Sequence, residues 1–375
     1  MKIVMFYHSL VSDWNHGNAH FLRGIASELL GEGHTVEVYE PSDSWSRKNL
    51  VESTGPDAVN RFQQAYPELE PRLYDPALHD PEYAVSDADL VIVHEWNHPE
   101  LVARIGELRR KYPFVLLFHD THHRMVTNPV AMAEYDLSHY DGVLAFGEVL
   151  RELYISRKIA RRAWTWHEAA DIRHFHPKPD VPKDGDLVWI GNWGDDERAA
   201  ELHEFLIEPV RRLGLRAAVY GVRYPEQARV ALAAAGIEYK GWIPNFQVPW
   251  IFARFRATIH VPRRPYVEAL PGIPTIRPFE ALACGIPLVS APWNDVENLF
   301  TPGHDLIQVN DGIEMEQQLA RLMNDEPLRD EYSRNGLATI YERHTCAHRA
   351  AELIDIYHQI ASERVAPEPM THSIA

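Results

Sequence analysis

"KIVMFYHSLVSDWNHGNAHFLRGIASELLGEGHTVEVYEP", residues 2–41, decides the fold. Its opening "KIVMF" is a continuous apolar run without alternation, as a strand buried on both faces requires. "AHFLRGIASELLGEG" has helical periodicity and ends in glycines, and "HTVEVYEP" reads as a second strand. Strand, helix and strand in that order make a parallel pair with a crossover helix. The pattern returns outward in "ADLVIVHE", "PELVARIGELRRKY", "PFVLLFHD" and "YDGVLAFG". Residues 41–80 are polar and proline-rich with no clear period, and read as an excursion from the repeat.

"WHEAADIRHFHPKPDVPKDGD", residues 166–186, breaks the rhythm with three prolines and marks a domain boundary. The alternation then restarts with "DLVWIGN", a helix over "RAAELHEFLIEPVRRL", and "LRAAVYG", "PEQARVALAAAG", "IEYKG", "VPWIFARF", "ATIHVP" and "DLIQVN". Helical patterns at 312–324 and 327–342 precede a last helix, "CAHRAAELIDIYHQI", and a tail "APEPMTHSIA" that reads as disordered. The fold class is therefore α/β, with two doubly wound Rossmann-like domains facing a central cleft. Residues 1–172 form the first domain and 173–345 the second; 346–375 form a helix returning to the first domain, with its tail. Ligands bind at the carboxyl ends of such sheets.

Composition narrows the function. A net charge of −17 argues against a nucleic-acid partner. Two cysteines, Cys284 and Cys346, cannot build a disulfide framework and suit a reducing compartment, so the expected location is cytoplasmic. The opening apolar run is cut by His8 and Asp13, unlike a signal peptide, and no apolar run is long enough to span a bilayer. The basic run "RELYISRKIARRAW" raises peripheral membrane contact as the less favoured alternative to a solvated face.

The candidate site centres on "GIPTIRPFEALACGIPLVS", residues 272–290. Thr275 stands where an N-cap would, Pro278 suits a first helical turn and Gly285 a stop. A helix N-terminus after a glycine-containing loop is a phosphate site. Glu280 could accept two hydrogen bonds from ribose hydroxyls while Arg277 pairs with phosphate; a plain Arg–Glu pair is the alternative.

The stretch from Arg277 to Asp311 resembles the donor-binding segment of GT-B glycosyltransferases, the class that includes glycogen synthases and phosphatidylinositol mannosyltransferases. Its spore-maturation-type branch, with a "T-x-R-x-F-E" core, is the nearer likeness. The resemblance implies that Glu280 holds the ribose; Gly272 occupies the position of that class's first motif glutamate. "GNWGDDER" is similar to the class's diphosphate-gripping loop, implying Gly191, Asn192 and Arg198 at the phosphates. "YKGWIP" implies Trp242 and Ile243 beside the base. In the first domain Gly17 would let backbone approach the sugar or diphosphate; the resemblance implies His94, with Glu95 beside it, near the acceptor and His119 near the transferred sugar, as catalytic residues.

The implied activity is transfer of a hexose from a UDP- or GDP-linked donor to an acceptor hydroxyl, on a saccharide, lipid or small molecule. It would be retaining and would use neither metal nor cofactor, as the lack of an Asp-x-Asp in the C-terminal half suggests. Three alternatives remain open: a sugar-nucleotide epimerase on the same fold, a metal-dependent hydrolase using His119–His123, and a catalytically inactive binding module.

Overall fold

The computed structural model describes residues 1–365; the tail "APEPMTHSIA" lies outside the described residues. Thirteen strands form two parallel sheets. The first contains β1 (Lys2–Phe6), β2 (Thr35–Pro41), β3 (Pro71–Tyr74), β4 (Leu90–His94), β5 (Val115–Asp120), β6 (Gly142–Ala145) and β7 (Ala163–Thr165). Its order is β3-β2-β1-β4-β5-β6-β7. The second contains β8 (Gly185–Ile190), β9 (Ala217–Tyr220), β10 (Ile237–Gly241), β11 (Phe255–His260), β12 (Leu288–Ser290) and β13 (Ile307–Gln308), in the order β10-β9-β8-β11-β12-β13. Each sheet reverses direction beside its first strand, at β1/β4 and at β8/β11, the crevices where α/β folds bind ligands.

The 41–80 region departs from the reading as an excursion. It forms helices Trp45–Thr54 and Asp57–Ala65 and the edge strand β3. The first helix buries only Ser46 and Leu50, so it leaves no apolar stripe in the sequence. The expected helix over 198–213 is also broken, into Ala199–Leu202, a π turn His203–Ile207, and Glu208–Leu213. Pro209 has no N–H to donate back one turn, and the widened π turn precedes it. The basic run is not one amphipathic helix either: the helix Glu148–Ser156 ends there, and Lys158 takes φ 58° before β7.

The helix Cys346–Val365 packs against the helix Asn18–Gly31. They meet closely at Gly24, where an added Cβ would lie 2.3 Å from Cys346 Sγ. At its far end Arg364 reaches Asp141, beneath β6. Cys284 and Cys346 are free and buried. Among the described residues no helix is long and apolar enough to cross a membrane.

Glycine is essential where the β8 and β9 ends meet. A Cβ on Gly221 (φ 156°) would sit 2.1 Å from the Gly191 carbonyl oxygen. Both partners are backbone, so Gly221→Ala is expected to cost about 3 kcal/mol and lower the melting temperature. An unchanged thermal transition would show that the two loops can separate.

Candidate active site

The cleft is lined by Asp13, Asn15, His16 and Gly17 from the loop after β1. Opposite them lie Gly191, Asn192, Gly221, Trp242, Ile243 and Arg277. A larger open hollow, on the outer flank between segments 125–140 and 155–161, gathers none of these residues. The two sides touch directly: Asn192 donates to Asn15 Oδ1 at 2.6 Å, and Asp13 accepts from Trp242 Nε1 (3.2 Å) and the Asn245 amide (3.0 Å). Gly17 lies over the start of the helix Ile276–Ala283, where an added Cβ would come 2.7 Å from Ile276.

That eight-residue helix carries both charges of the decisive motif. Thr275 takes the N-cap position with φ 61° but its side chain makes no capping bond. Pro278 lies in the first turn, and Gly285 (φ 64°) follows the helix end. Glu280 is fully buried. Its Oε1 accepts from Asn245 Nδ2 at 2.6 Å and its Oε2 is paired with Arg277. His20, from the first domain, approaches Oε1 at 3.3 Å. Because His20 Nε2 accepts the Asp171 amide at 2.8 Å, its proton sits on Nδ1 and points at Glu280 and Asn245. Arg277, only partly exposed, faces the cleft while Glu280 stands behind it.

Arg198 is the cation whose surroundings are least balanced. It is 9% exposed, yet its guanidinium donates only to the carbonyls of Val261 (3.1 Å) and Asn192, and its Nε has no partner. It stacks on Trp189 at 5.1 Å. Burial, with Arg263 and Arg277 nearby, pulls its pKa down to about 9. Close by, His260 at the end of β11 bonds Ser290 through Nδ1 (2.9 Å) and leaves Nε2 unpaired. An arginine buried without a counter-charge is an anion site without its anion.

Across the cleft the histidines lie in layers. Register pairs His94 with His119 on β4 and β5, and both are buried. His119 is bound through Nδ1 to the Tyr7 hydroxyl (2.7 Å) and packs against Phe21 and Trp166; its Nε2 has no partner. His94 holds Thr121 Oγ1 at 2.9 Å through Nε2 and stacks on Tyr7. Burial lowers the pKa of both, His119 to about 3, so both rings are neutral. Above His94 lie His8 and His16, mostly buried, with ring centroids 4.2 Å apart. Glu95 turns away: its carboxylate accepts from the Thr121 amide (3.0 Å) and Arg124 (3.0 Å). Burial and neighbouring Asp120 push its pKa well up.

The structure thus gathers Gly17, Gly191, Asn192, Trp242, Ile243 and Arg277 around one cleft, with Arg198 and Glu280 just behind its wall. His94, His119 and Glu95 lie deeper in the first domain. Sequence reading missed His8, His16, His260 and Glu168. His8 and His260 were legible as histidines at strand ends, while His16 stands within the loop after β1. Glu168, in the boundary segment, is buried with its pKa raised to about 8 by burial and by Glu280. Among the described residues no three His, Cys, Asp or Glu side chains are grouped to hold a metal. Asp184 and Asp186 stand at the amino end of β8, bound to Arg254 and Arg216.

Residues 198–355 match the family model described as "Glycosyl transferase-like". That segment is similar to the family, and the chain as a whole takes the GT-B fold. Sucrose-phosphate synthase from Thermosynechococcus elongatus superposes with a TM-score of 0.65 at 14% identity, over 96% of this chain and 99% of that one. The Anabaena protein HepE, solved with UDP and glucose, gives 0.64 at 15% identity over 98% and 100%. T4 phage β-glucosyltransferase, solved with UDP and Mn2+, gives 0.61 at 15% identity over 96% and 99%. At these identities the likeness establishes the fold. No curated protein sequence matches the chain. The matched segment contains Arg198, Trp242, Ile243, Thr275, Arg277 and Glu280, while the histidine layers lie outside it.

Proposed function

We propose that the chain transfers a sugar from a UDP-linked donor to an acceptor hydroxyl, without a metal and with retention of anomeric configuration. Residues 1–172 are the acceptor side and 173–345 the donor side, with the last helix returned to the first. The observation that carries this reading is the buried, uncompensated Arg198 beside Arg277. A nucleoside diphosphate supplies the missing negative charge. UDP in the solved structures of HepE and the phage enzyme supports the choice of nucleotide.

As the anomeric bond breaks, charge grows on the leaving diphosphate. Arg198, Arg277 and the amides of the helix Ile276–Ala283 are the groups that stabilise it, each worth about 3 kcal/mol when well placed. Ribose hydroxyls exchange with Arg277 and Asn245 on Glu280, and the released Arg277 turns to phosphate. Gly17 and Gly191 let backbone close on the donor, with Asn192 beside it and Trp242 and Ile243 at the base. On the acceptor side His8, stacked over His94, is the ring within reach of substrate. His94, His119 and Glu95 hold that layer in place. His94→Ala is expected to cut transfer about a hundredfold and leave nucleotide affinity intact; normal turnover would remove the histidine layer from the mechanism.

Buried, unpaired cysteines fit the cytoplasm as the proposed location. The test is NMR of the sugar transferred from UDP-glucose in EDTA. An α-linked product without added metal is expected. Turnover only with Mn2+ would contradict metal independence, and a β-linked product would contradict retention.

A further inference from the structure

Four neighbouring strands of the first sheet, β2-β1-β4-β5, each deliver an aromatic ring beyond their carboxyl ends: Trp45, Trp14, Trp96 and His122 respectively. Trp45 is 54% exposed and Trp96 42%, an unusual baring of two indoles at the carboxyl edge of the sheet whose β1 loop lines the cleft. Trp14 meets Trp45 edge-on at 5.1 Å, and Trp96 meets His122 edge-on at 5.3 Å. His8, 6.2 Å from Trp96, and His16, in the cleft wall, fill the middle of the row. With strands about 4.8 Å apart, four strand ends span about 15 Å, enough for a short oligosaccharide.

Polar atoms are interleaved with these rings. Nδ1 of His8, His16 and His122 is buried and has no hydrogen-bond partner. A ligand that satisfies this surface needs apolar faces to lie on aromatic rings and hydroxyl edges to meet ring nitrogens. Pyranose rings have both. An acyl chain would leave the nitrogens unpaired. A nucleic acid would need free cations, but Arg124, 4.4 Å over Trp96, has its donors engaged by Glu95 and Tyr135, and the chain carries a net charge of −17.

We propose that this row is the acceptor subsite and that the acceptor is a saccharide, its rings stacked on Trp45 and Trp96. The proposal rests on the transferase reading and adds the acceptor class to it.

The test uses the full chain on an array of defined oligosaccharides, followed by tryptophan-fluorescence titration of the retained glycans. UDP binding is measured in the same samples. Saturable glycan binding is expected, weakened roughly tenfold by Trp45→Ala and by Trp96→Ala, with UDP affinity unchanged in both variants. Intact UDP binding with no retained glycan overturns the proposal. So does glycan binding that neither variant weakens. Tryptophan-dependent binding to a DNA duplex or to phosphatidylglycerol vesicles, in place of glycans, overturns it too. Absence of UDP binding by the wild type overturns the transferase reading, and this acceptor assignment with it.

Discussion

Glu280→Ala is expected to lower stability by about 3 kcal/mol and to weaken UDP binding by about ten- to a hundredfold. The first effect follows from burial. Glu280 receives Asn245 and Arg277 and faces the Nδ1 proton of His20. Its removal leaves the Asn245 amide without its acceptor, the His20 ring with Asn245 Oδ1 alone, and an arginine without its counter-charge. Arg277 reaches water at the cleft, which places the cost at the lower end for a broken buried pair. The second effect follows from the ribose role. Glu280→Gln separates the two, because the amide keeps the shape and one acceptor oxygen while losing the charge. Calorimetric unfolding and UDP titration of both variants check this. Wild-type affinity in Glu280→Ala would remove Glu280 from the nucleotide site.

A stability optimum near pH 6.5, with losses on both sides, is the second large effect. His119, His260 and His344 are buried with pKa values lowered by desolvation to about 3; His20 and His94 are lowered as well. The unfolded chain binds protons at these rings below pH 6.5 and the fold refuses them. Stability conferred by the neutral rings is therefore complete above pH 6.5 and drains away as pH falls towards 3.

Four buried carboxyls act oppositely. Glu40, Glu95, Asp120 and Glu168 are raised chiefly by burial, Glu168 to about 8. The fold keeps protons that the unfolded chain releases above its ordinary carboxylate range, so stability declines as pH rises from about 4.5 to 8. Between pH 4.5 and 6.5 the lowered histidines, which also include His8, His16, His122 and His123, outnumber the carboxyls, so net stability still rises with pH. Below 4.5 the histidines act unopposed, each at up to about 1.4 kcal/mol per pH unit. Carboxylates lowered by hydrogen bonds, such as Glu148, add to the loss, and the acid limb steepens. Above 6.5 the carboxyls alone give a shallower loss. Melting temperatures across this range check it. A continuous rise into alkaline pH would mean that the buried carboxyls are ionised in the fold.

The same burial explains what the sequence could and could not disclose. Strands β1, β4, β5 and β8 were legible because a strand covered on both faces must be apolar at every position. Strand ends then located Gly17, His94, His119, Gly191 and Trp242 at the cleft side. Helix Trp45–Thr54 and edge strand β3 were not legible, since each buries too few side chains to impose a period. Periodicity finds a helix face but not depth. It could not tell that His8 covers His94, or that Arg277 and Glu280 hold each other across the helix turn. Both depend on residues more than eighty positions apart, or on rotamers set by Asn245 and His20. Glu168 was hidden because the boundary segment carries no period.

The central claim is that the interdomain cleft holds a nucleoside diphosphate against Arg198 and Arg277. Titration calorimetry with UDP in EDTA, on the wild type and on Arg277→Ala, tests it most directly. The account expects saturable binding by the wild type, weakened at least about tenfold in the variant. No binding of UDP, or of GDP, dTDP or ADP in its place, would contradict it, as would equal affinity in the two proteins.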